Sequence, residues 1–207
     1  DRLDQWVKQW TELTETEKRR RKRNGKGNWQ YVRYADDFLL ITTGRKAEAE
    51  KMLEKVENFV SEELNLTLSG EKSELVHRED GLNFLGYDIE EKSETGGVKR
   101  EIPKEAERDI KSTVREATQG STEVSIRTKV RAVNAVLRGW ANYYKYATNA
   151  SKVFRDVHDY GWRRMTHWLA EKLKCSMGKL MSQKMESTYP LQINGMAMVT
   201  ITGMSGK

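Results

Sequence analysis

Asp36 and Asp37 are adjacent carboxylates flanked by residues that favour extended backbone, with Tyr31, Val32 and Tyr34 before them and Phe38 to Thr42 after. The pattern predicts a β-hairpin with both acids at or beside its turn. Side by side, two carboxylates repel each other, and a shared cation relieves that repulsion. Mg²⁺ suits the task, because it is a hard ion that takes oxygen ligands and few protein contacts. In two-metal phosphoryl transfer such ions activate the attacking oxygen and stabilise the leaving one. A solvated Asp-Asp turn is the other reading of the dipeptide.

The elements that must position this turn are legible on both sides of it. Leu3, Trp6, Val7 and Trp10 recur at spacings of three and four, which predicts a helix over Leu3 to Leu13. A cationic run from Lys18 to Arg23 follows, with Asn24-Gly25-Lys26-Gly27 behind it, and reads as a basic loop closed by glycines, solvated or else touching phosphate. After the hairpin, Met52, Val56, Phe59, Val60 and Leu64 mark the apolar face of a helix over about Lys46 to Leu64. Short strands are predicted near Leu66 to Leu68, Glu74 to His77, Asn83 to Glu90 and Val98 to Ile102, with Gly81 and Gly96-Gly97 as turns. Strand, strand, helix, strands is an α+β order.

From Pro103 onward the pattern is helical. Pro103 sits where a helix begins, and Ile110, Val114 and Ala117 continue the apolar spacing up to Gln119-Gly120. Val130, Val133, Leu137, Trp140, Tyr144 and Ala147 form a packing stripe, while Arg127, Arg131, Asn134, Arg138, Asn142 and Lys145 gather on another face of the same helix. A further helix is predicted over Ser151 to Lys174. The methionine-rich remainder from Ser176 suggests a strand pair around Met196 to Thr202, with no functional account.

Charge divides unevenly along the chain. Residues 1–101 carry 19 Lys and Arg against 22 Asp and Glu, whereas residues 102–207 carry 18 against 9. The second half is therefore the better match for a polyanion, since phosphate backbones are held largely through such charge. A lone cysteine, Cys175, excludes an intramolecular disulfide and a multi-cysteine zinc site. His77, His158 and His167 lack metal-ligand spacing. No apolar run approaches a membrane span, so the expectation is an intracellular protein of a bacterial cytoplasm or an organelle matrix.

Four blocks in order carry a resemblance: YVRYADDF from Tyr31, LNLTLSGEKS from Leu64, LNFLGYDI from Leu82 and RGWANYYKYA from Arg138. Together they resemble the group II intron-encoded reverse transcriptases, also called maturases, over about Asp1 to Lys174. The resemblance implies the C-terminal part of a polymerase palm, antiparallel strands with helices, over residues 1–102. An α-helical thumb or maturase domain follows over 103–174, and a tail of unknown role over 175–207. It implies RNA-directed DNA synthesis at Mg²⁺ held by Asp36 and Asp37, with a third carboxylate on an upstream palm segment outside this sequence; Asp1 and Asp4 lie too near a helical run to replace it.

By the same resemblance Tyr34, Ala35 and Lys72 lie near the incoming deoxynucleoside triphosphate. Phe84, Leu85, Gly86 and Tyr87 form the primer grip, and Arg127, Arg131, Arg138, Asn142, Tyr143 and Lys145 contact RNA. Tyr144 lies on the packing stripe and reads as core. The partners implied are intron RNA, a template–primer duplex, a DNA target and the upstream fingers and palm. No cysteine–histidine cluster supports a nuclease. Two other readings stay open: a non-enzymatic RNA-binding splicing cofactor that keeps the YADD hairpin as scaffold, and a reverse transcriptase recruited to host defence or template-directed mutagenesis.

Overall fold

Strand β1 (Trp29–Tyr34) and strand β2 (Asp37–Thr42) pair antiparallel, with Tyr34 opposite Asp37 and Trp29 opposite Thr42. The computed structural model describes residues 2–70, 73–92, 97–188 and 191–206, so Lys72 lies outside the described residues. The fold is α+β with small antiparallel sheets. It divides into two compact units, Asp1–His77 and Arg78–Lys207.

In the first unit the hairpin packs one face inward. Trp29 is buried on that face, and Phe38 and Leu40 pack with it against Ala49, Met52, Val56 and Val60. These last residues come from α3 (Lys46–Asn58) and the π-helical turn that continues it (Phe59–Glu63), as the apolar spacing predicts. Helix α1 (Arg2–Thr11) adds Leu3 and Val7 to the interior, and Trp6 stacks on Phe59 with ring centroids 4.4 Å apart.

Two expectations fail in this unit. The cationic run is not a loop but most of a helix, α2 (Glu15–Arg23). Thr14 and Glu17 form a capping box at its start, and four basic residues crowd its last turn, where the helix dipole favours cations. The strands expected at 66–68 and 74–77 do not form, and Leu66 and Leu75 are exposed. Their alternating pattern finds no neighbouring strand to complete a ladder, so propensity alone does not order them.

The second unit begins with β3 (Leu82–Phe84), β4 (Tyr87–Glu91) and β5 (Val98–Glu101), an antiparallel sheet in sequence order. The single strand expected at 83–90 is thus a hairpin, because Leu85 and Gly86 both take positive φ, 49° and 69°, the signature of a tight two-residue turn. Helices α4 (Lys104–Thr118), α5 (Ile126–Tyr144) and α6 (Ala150–Lys172) follow with Pro103 at the N-cap of α4. They bury Val114, Val133, Leu137, Phe154, Val157 and Leu169 together.

The tail belongs to this core. After α7 (Met177–Lys179) and its π-helical extension, β6 (Ser187–Thr188), β7 (Leu191–Ile193) and β8 (Met196–Ala197) form a small sheet. The strand pair expected near Met196 to Thr202 is therefore displaced towards the N-terminus. Asn194 and Gly195 turn between β7 and β8 at φ 51° and 68°, and an Asn-Gly pair is the strongest short signal for such a turn. Leu180, Leu191, Ile193, Met198 and Ile201 are all buried with the helices. Asn134 of α5 holds the tail backbone from both sides, donating to the Ala197 carbonyl at 2.9 Å and accepting from the Val199 N–H at 2.7 Å. Among the described residues no helix is long and apolar enough to cross a membrane.

Candidate functional site

The carboxylates stand at the hairpin tip. Ala35 and Asp36 are its two turn residues and Asp37 is the first residue of β2. Ala35 takes φ 52°, a left-handed conformation that costs a non-glycine residue about 1–2 kcal/mol. Tyr34, Ala35, Asp36 and Asp37 are all exposed. Neither carboxylate has an ion pair or hydrogen bond among the described residues, so their charges face only each other and solvent.

Arg33 braces this turn. Its Nε donates to the Ala35 carbonyl at 2.7 Å, and its Nη1 donates to Asp4 Oδ1 of α1 at 3.1 Å. The Tyr31 hydroxyl donates to the same Asp4 oxygen at 2.9 Å. The Tyr31 hydrogen bond and the Arg33 guanidinium hold the Asp4 carboxyl below its usual range. Burial, reinforced by Asp4, pushes the Tyr31 hydroxyl up to about 12. Asp4 thus ties α1 to β1. Sequence reading missed Arg33 as a bracing residue, although its place two residues before a strained turn was visible.

Asp36 and Asp37 offer hard oxygen donors at the hairpin turn, which suits a divalent ion. Among the described residues no third His, Cys, Asp or Glu side chain joins them in a metal-binding group. The donor chemistry of the two carboxylates fits such an ion.

In the second unit the structure brings Leu85, Gly86, Tyr87 and Tyr143 together. The Tyr143 hydroxyl donates to the Leu85 carbonyl at 2.6 Å, and the Tyr144 hydroxyl donates to the Gly86 carbonyl at 3.1 Å. Tyr87 returns the contact by donating to the Tyr143 carbonyl at 2.5 Å, and its ring stacks near Tyr143 at 5.7 Å. A Cβ at Gly86 would sit 3.2 Å from the Tyr144 hydroxyl, so close approach and positive φ both require glycine there. Burial raises the hydroxyls of Tyr87 and Tyr144, which keeps both protonated as donors at neutral pH. Tyr144 is buried, as its stripe position predicts, whereas Tyr143 is 53% exposed and leaves a ring surface to solvent. Phe84 is half-buried.

Along α5, Arg127, Arg131, Arg138 and Asn142 are exposed on one side of the helix, opposite the buried Val133, Leu137 and Ala141. None of the three arginines has an ion-pair partner among the described residues. Lys145 lies just beyond the helix end, half-buried, with Nζ 4.9 Å from the Tyr146 ring centre. Of the sequence-predicted face, Arg127, Arg131, Arg138 and Asn142 are exposed, whereas Asn134 is taken up by the tail backbone.

A hairpin presenting two carboxylates, then antiparallel strands, then a helical bundle is an order consistent with a polymerase palm followed by a helical domain. Comparison with known proteins agrees: residues 4–89 match the family model for reverse transcriptase (RNA-dependent DNA polymerase), and residues 108–184 match the group II intron, maturase-specific domain. The chain therefore carries, in order, a segment similar to reverse transcriptases and a segment similar to the group II intron maturase-specific domain.

It is 38% identical over 71 residues to the group II intron-encoded protein LtrA of Lactococcus lactis subsp. cremoris, covering 34% of this chain and 12% of that protein. It is 36% identical over 59 residues to the putative COX1/OXI3 intron 2 protein of Saccharomyces cerevisiae, covering 28% of this chain and 7% of that one. Protein YkfC of Escherichia coli K12 is 37% identical over 92 residues, 40% of this chain and 24% of its own length. The chain thus spans no more than about a quarter of the curated relatives it matches.

Proposed function

We propose that the chain provides the YADD half of an RNA-directed DNA polymerase active site, joined to a helical domain that grips RNA. The observation that carries this reading is the pair of exposed, unpartnered carboxylates at a braced hairpin turn. Asp36 and Asp37 would hold Mg²⁺, which when bound supplies Lewis-acid activation of a primer hydroxyl and charge stabilisation at the leaving pyrophosphate. Reverse transcriptases as a family use divalent metal ions, which supports the assignment.

The chain's own residues have distinct tasks on this reading. Asp36 and Asp37 supply the metal-facing oxygens, while Tyr34 and Ala35 shape the turn beside the incoming deoxynucleoside triphosphate. Lys72 neutralises phosphate charge. The Phe84 to Tyr87 turn, clamped by Tyr143 and Tyr144, holds the primer end. Arg127, Arg131, Arg138, Asn142 and Lys145 contact the template–primer duplex and intron RNA, with Tyr143 adding a stacking surface.

The third carboxylate comes from the upstream fingers and palm segment. Val32 and Ile41, each 47% exposed on the outer face of the hairpin, support a further palm strand or segment covering that face. Functionally the palm runs through residue 102 and the thumb and maturase domain through 174, with 175–207 completing the helical core. A DNA target and an intracellular setting, bacterial cytoplasm or organelle matrix, go with this assignment.

A second reading is favoured by the unpaired arginines of α5 within the maturase-matching region: an RNA-binding splicing cofactor whose hairpin is scaffold only. Primer extension on an RNA template with Mg²⁺, using the chain with its upstream segment, separates the two. Synthesis lost on Asp36→Ala, with RNA binding unchanged, supports the polymerase. Absent synthesis, with tight salt-sensitive binding to structured RNA, supports the cofactor.

A further inference from the structure

The first unit carries a cationic groove that neither the YADD turn nor the α5 face includes. It lies between the loop after α2 and one side of α3, encloses about 570 Å³, and has Trp29 and Met52, both buried, in its lining. Lys26, Arg45, Lys51 and Lys55 also line it, and Glu48 is its one acid.

Glu48 does not neutralise those four cations, because its charge is already taken. Its Oε1 accepts from Arg21 Nη2 at 2.9 Å, and its Oε2 accepts from the Gly27 N–H at 2.8 Å. Lys26, Arg45, Lys51 and Lys55 have no ion-pair partner among the described residues. Lys55 rests over the Trp10 ring at 5.6 Å.

On α3 the two groove lysines stand on the same side as the occupied Glu48. At 3.6 residues per turn, Glu48, Lys51 and Lys55 share an arc of about 60°, while Lys46, Glu50, Glu54 and Glu57 share one of about 80° on the other side. Lys46 pairs with Glu50 on that far side at 3.8 Å, and Glu54 and Glu57 stand there too, away from the groove. Apolar walls beside a row of one sign also concentrate the potential over it.

We infer that this groove binds the phosphodiester backbone of a nucleic-acid strand, as a contact separate from the α5 face. Length favours a polymer over a single phosphate: Arg45 to Lys55 spans about 15 Å along the helix, several phosphates of a strand. Of helix α2, Arg21 faces the groove, while Arg19 and Arg23 lie about 160° around the helix from it. Helix α2 buries no residue, and its ordered state rests on the capping box and on Arg21, which also donates to the Gly27 carbonyl at 2.9 Å and 2.7 Å. The contact needs neither Asp36 nor synthesis, so it stands or falls independently of the polymerase reading.

The test uses the full chain carrying Asp36→Asn, with a short fluorescein-labelled single-stranded RNA followed by anisotropy over a range of salt. Combined replacement of Lys26, Arg45, Lys51 and Lys55 by Gln is expected to weaken binding about tenfold or more. The slope of log affinity against log salt should fall by about 2 to 3, at about 0.7 per phosphate contact. Lys26→Arg, Lys51→Arg and Lys55→Arg together keep the charge and should bind like the parent.

A readout on the unsubstituted chain removes any dependence on how the variants fold. Bound RNA should shield Lys26, Lys51 and Lys55 from acetylation, read by mass spectrometry, while Lys46 on the far side of α3 stays reactive. Equal labelling of all four lysines with and without RNA would overturn the inference. So would unchanged affinity and slope in the Gln variant, or retention of the chain on anionic lipid vesicles with no groove-dependent RNA binding.

Discussion

The Arg33 guanidinium ties the Ala35 carbonyl to the Asp4 carboxylate, so the peptide that precedes Asp36 is fixed from outside the turn. Strand pairing alone would leave that peptide free to rotate, since turn residues make no ladder bond. The left-handed Ala35 is held partly by this tie.

Arg33→Met is expected to lower the stability of the first unit, because it removes the hydrogen bonds to the Ala35 carbonyl and to Asp4. Urea unfolding measures it. Ala35→Gly should be neutral to stabilising by about 1 kcal/mol, because glycine takes φ 52° without the steric penalty. Ala35→Val should cost about 1–2 kcal/mol for the opposite reason. A stabilising Ala35→Val would refute the strained turn.

The clamp on the Leu85-Gly86 turn predicts an ordered pair of effects. Tyr144→Phe removes a buried hydroxyl from the Gly86 carbonyl and should cost about 1–1.5 kcal/mol, whereas exposed Tyr143→Phe should cost about 0.5 kcal/mol. Gly86→Ala meets both an unfavourable φ and the Tyr144 hydroxyl, so about 2 kcal/mol is expected. Thermal unfolding of the three variants gives the order directly.

His158 is fully buried in the helical core, and burial lowers its pKa from the ordinary 6.5. Between the lowered value and 6.5 the unfolded chain binds a proton that the folded one does not. Stability is therefore complete above about pH 6.5 and falls on acidification by about 1.4 kcal/mol per unit until the folded pKa is reached. Denaturation of the parent and of His158→Leu across pH 5 to 8 should show this slope in the parent and a shallower one in the variant.

The tail is expected to be required for the helical unit. Ile193→Ala and Ile201→Ala remove side chains that are 1% and 0% exposed, and each should cost about 2–4 kcal/mol. Asn134→Ala releases two tail backbone groups and should cost about 1–2 kcal/mol. Tail variants that unfold no earlier than the parent would show that the segment packs without contributing.

Several features needed only local physics and were legible in order. β-Branched and aromatic runs around Asp36-Asp37 specify a hairpin by themselves, and the periodic apolar residues of α3, α4, α5 and α6 specify which faces are buried. The basic face of α5 follows from the same periodicity. Two local signals were present and went unread: Thr14 with Glu17, which caps α2, and Asn194-Gly195, which turns β7 into β8.

The remainder depended on partners far away in the chain. Leu66 to Leu68 has strand composition but no strand to pair with, so tertiary context withheld the ladder. Arg33 and Asp4 are 29 residues apart, and Tyr143 and Leu85 are 58 apart. No spacing rule links them, because each bond forms only where folding brings two elements within about 3 Å. The same holds for α3, where the spacing of four puts Lys51 and Lys55 on one side of the helix. Only the fold decided that Lys51 and Lys55 would share a groove with Arg45 and Lys26, while Arg21 and the Gly27 N–H occupy Glu48.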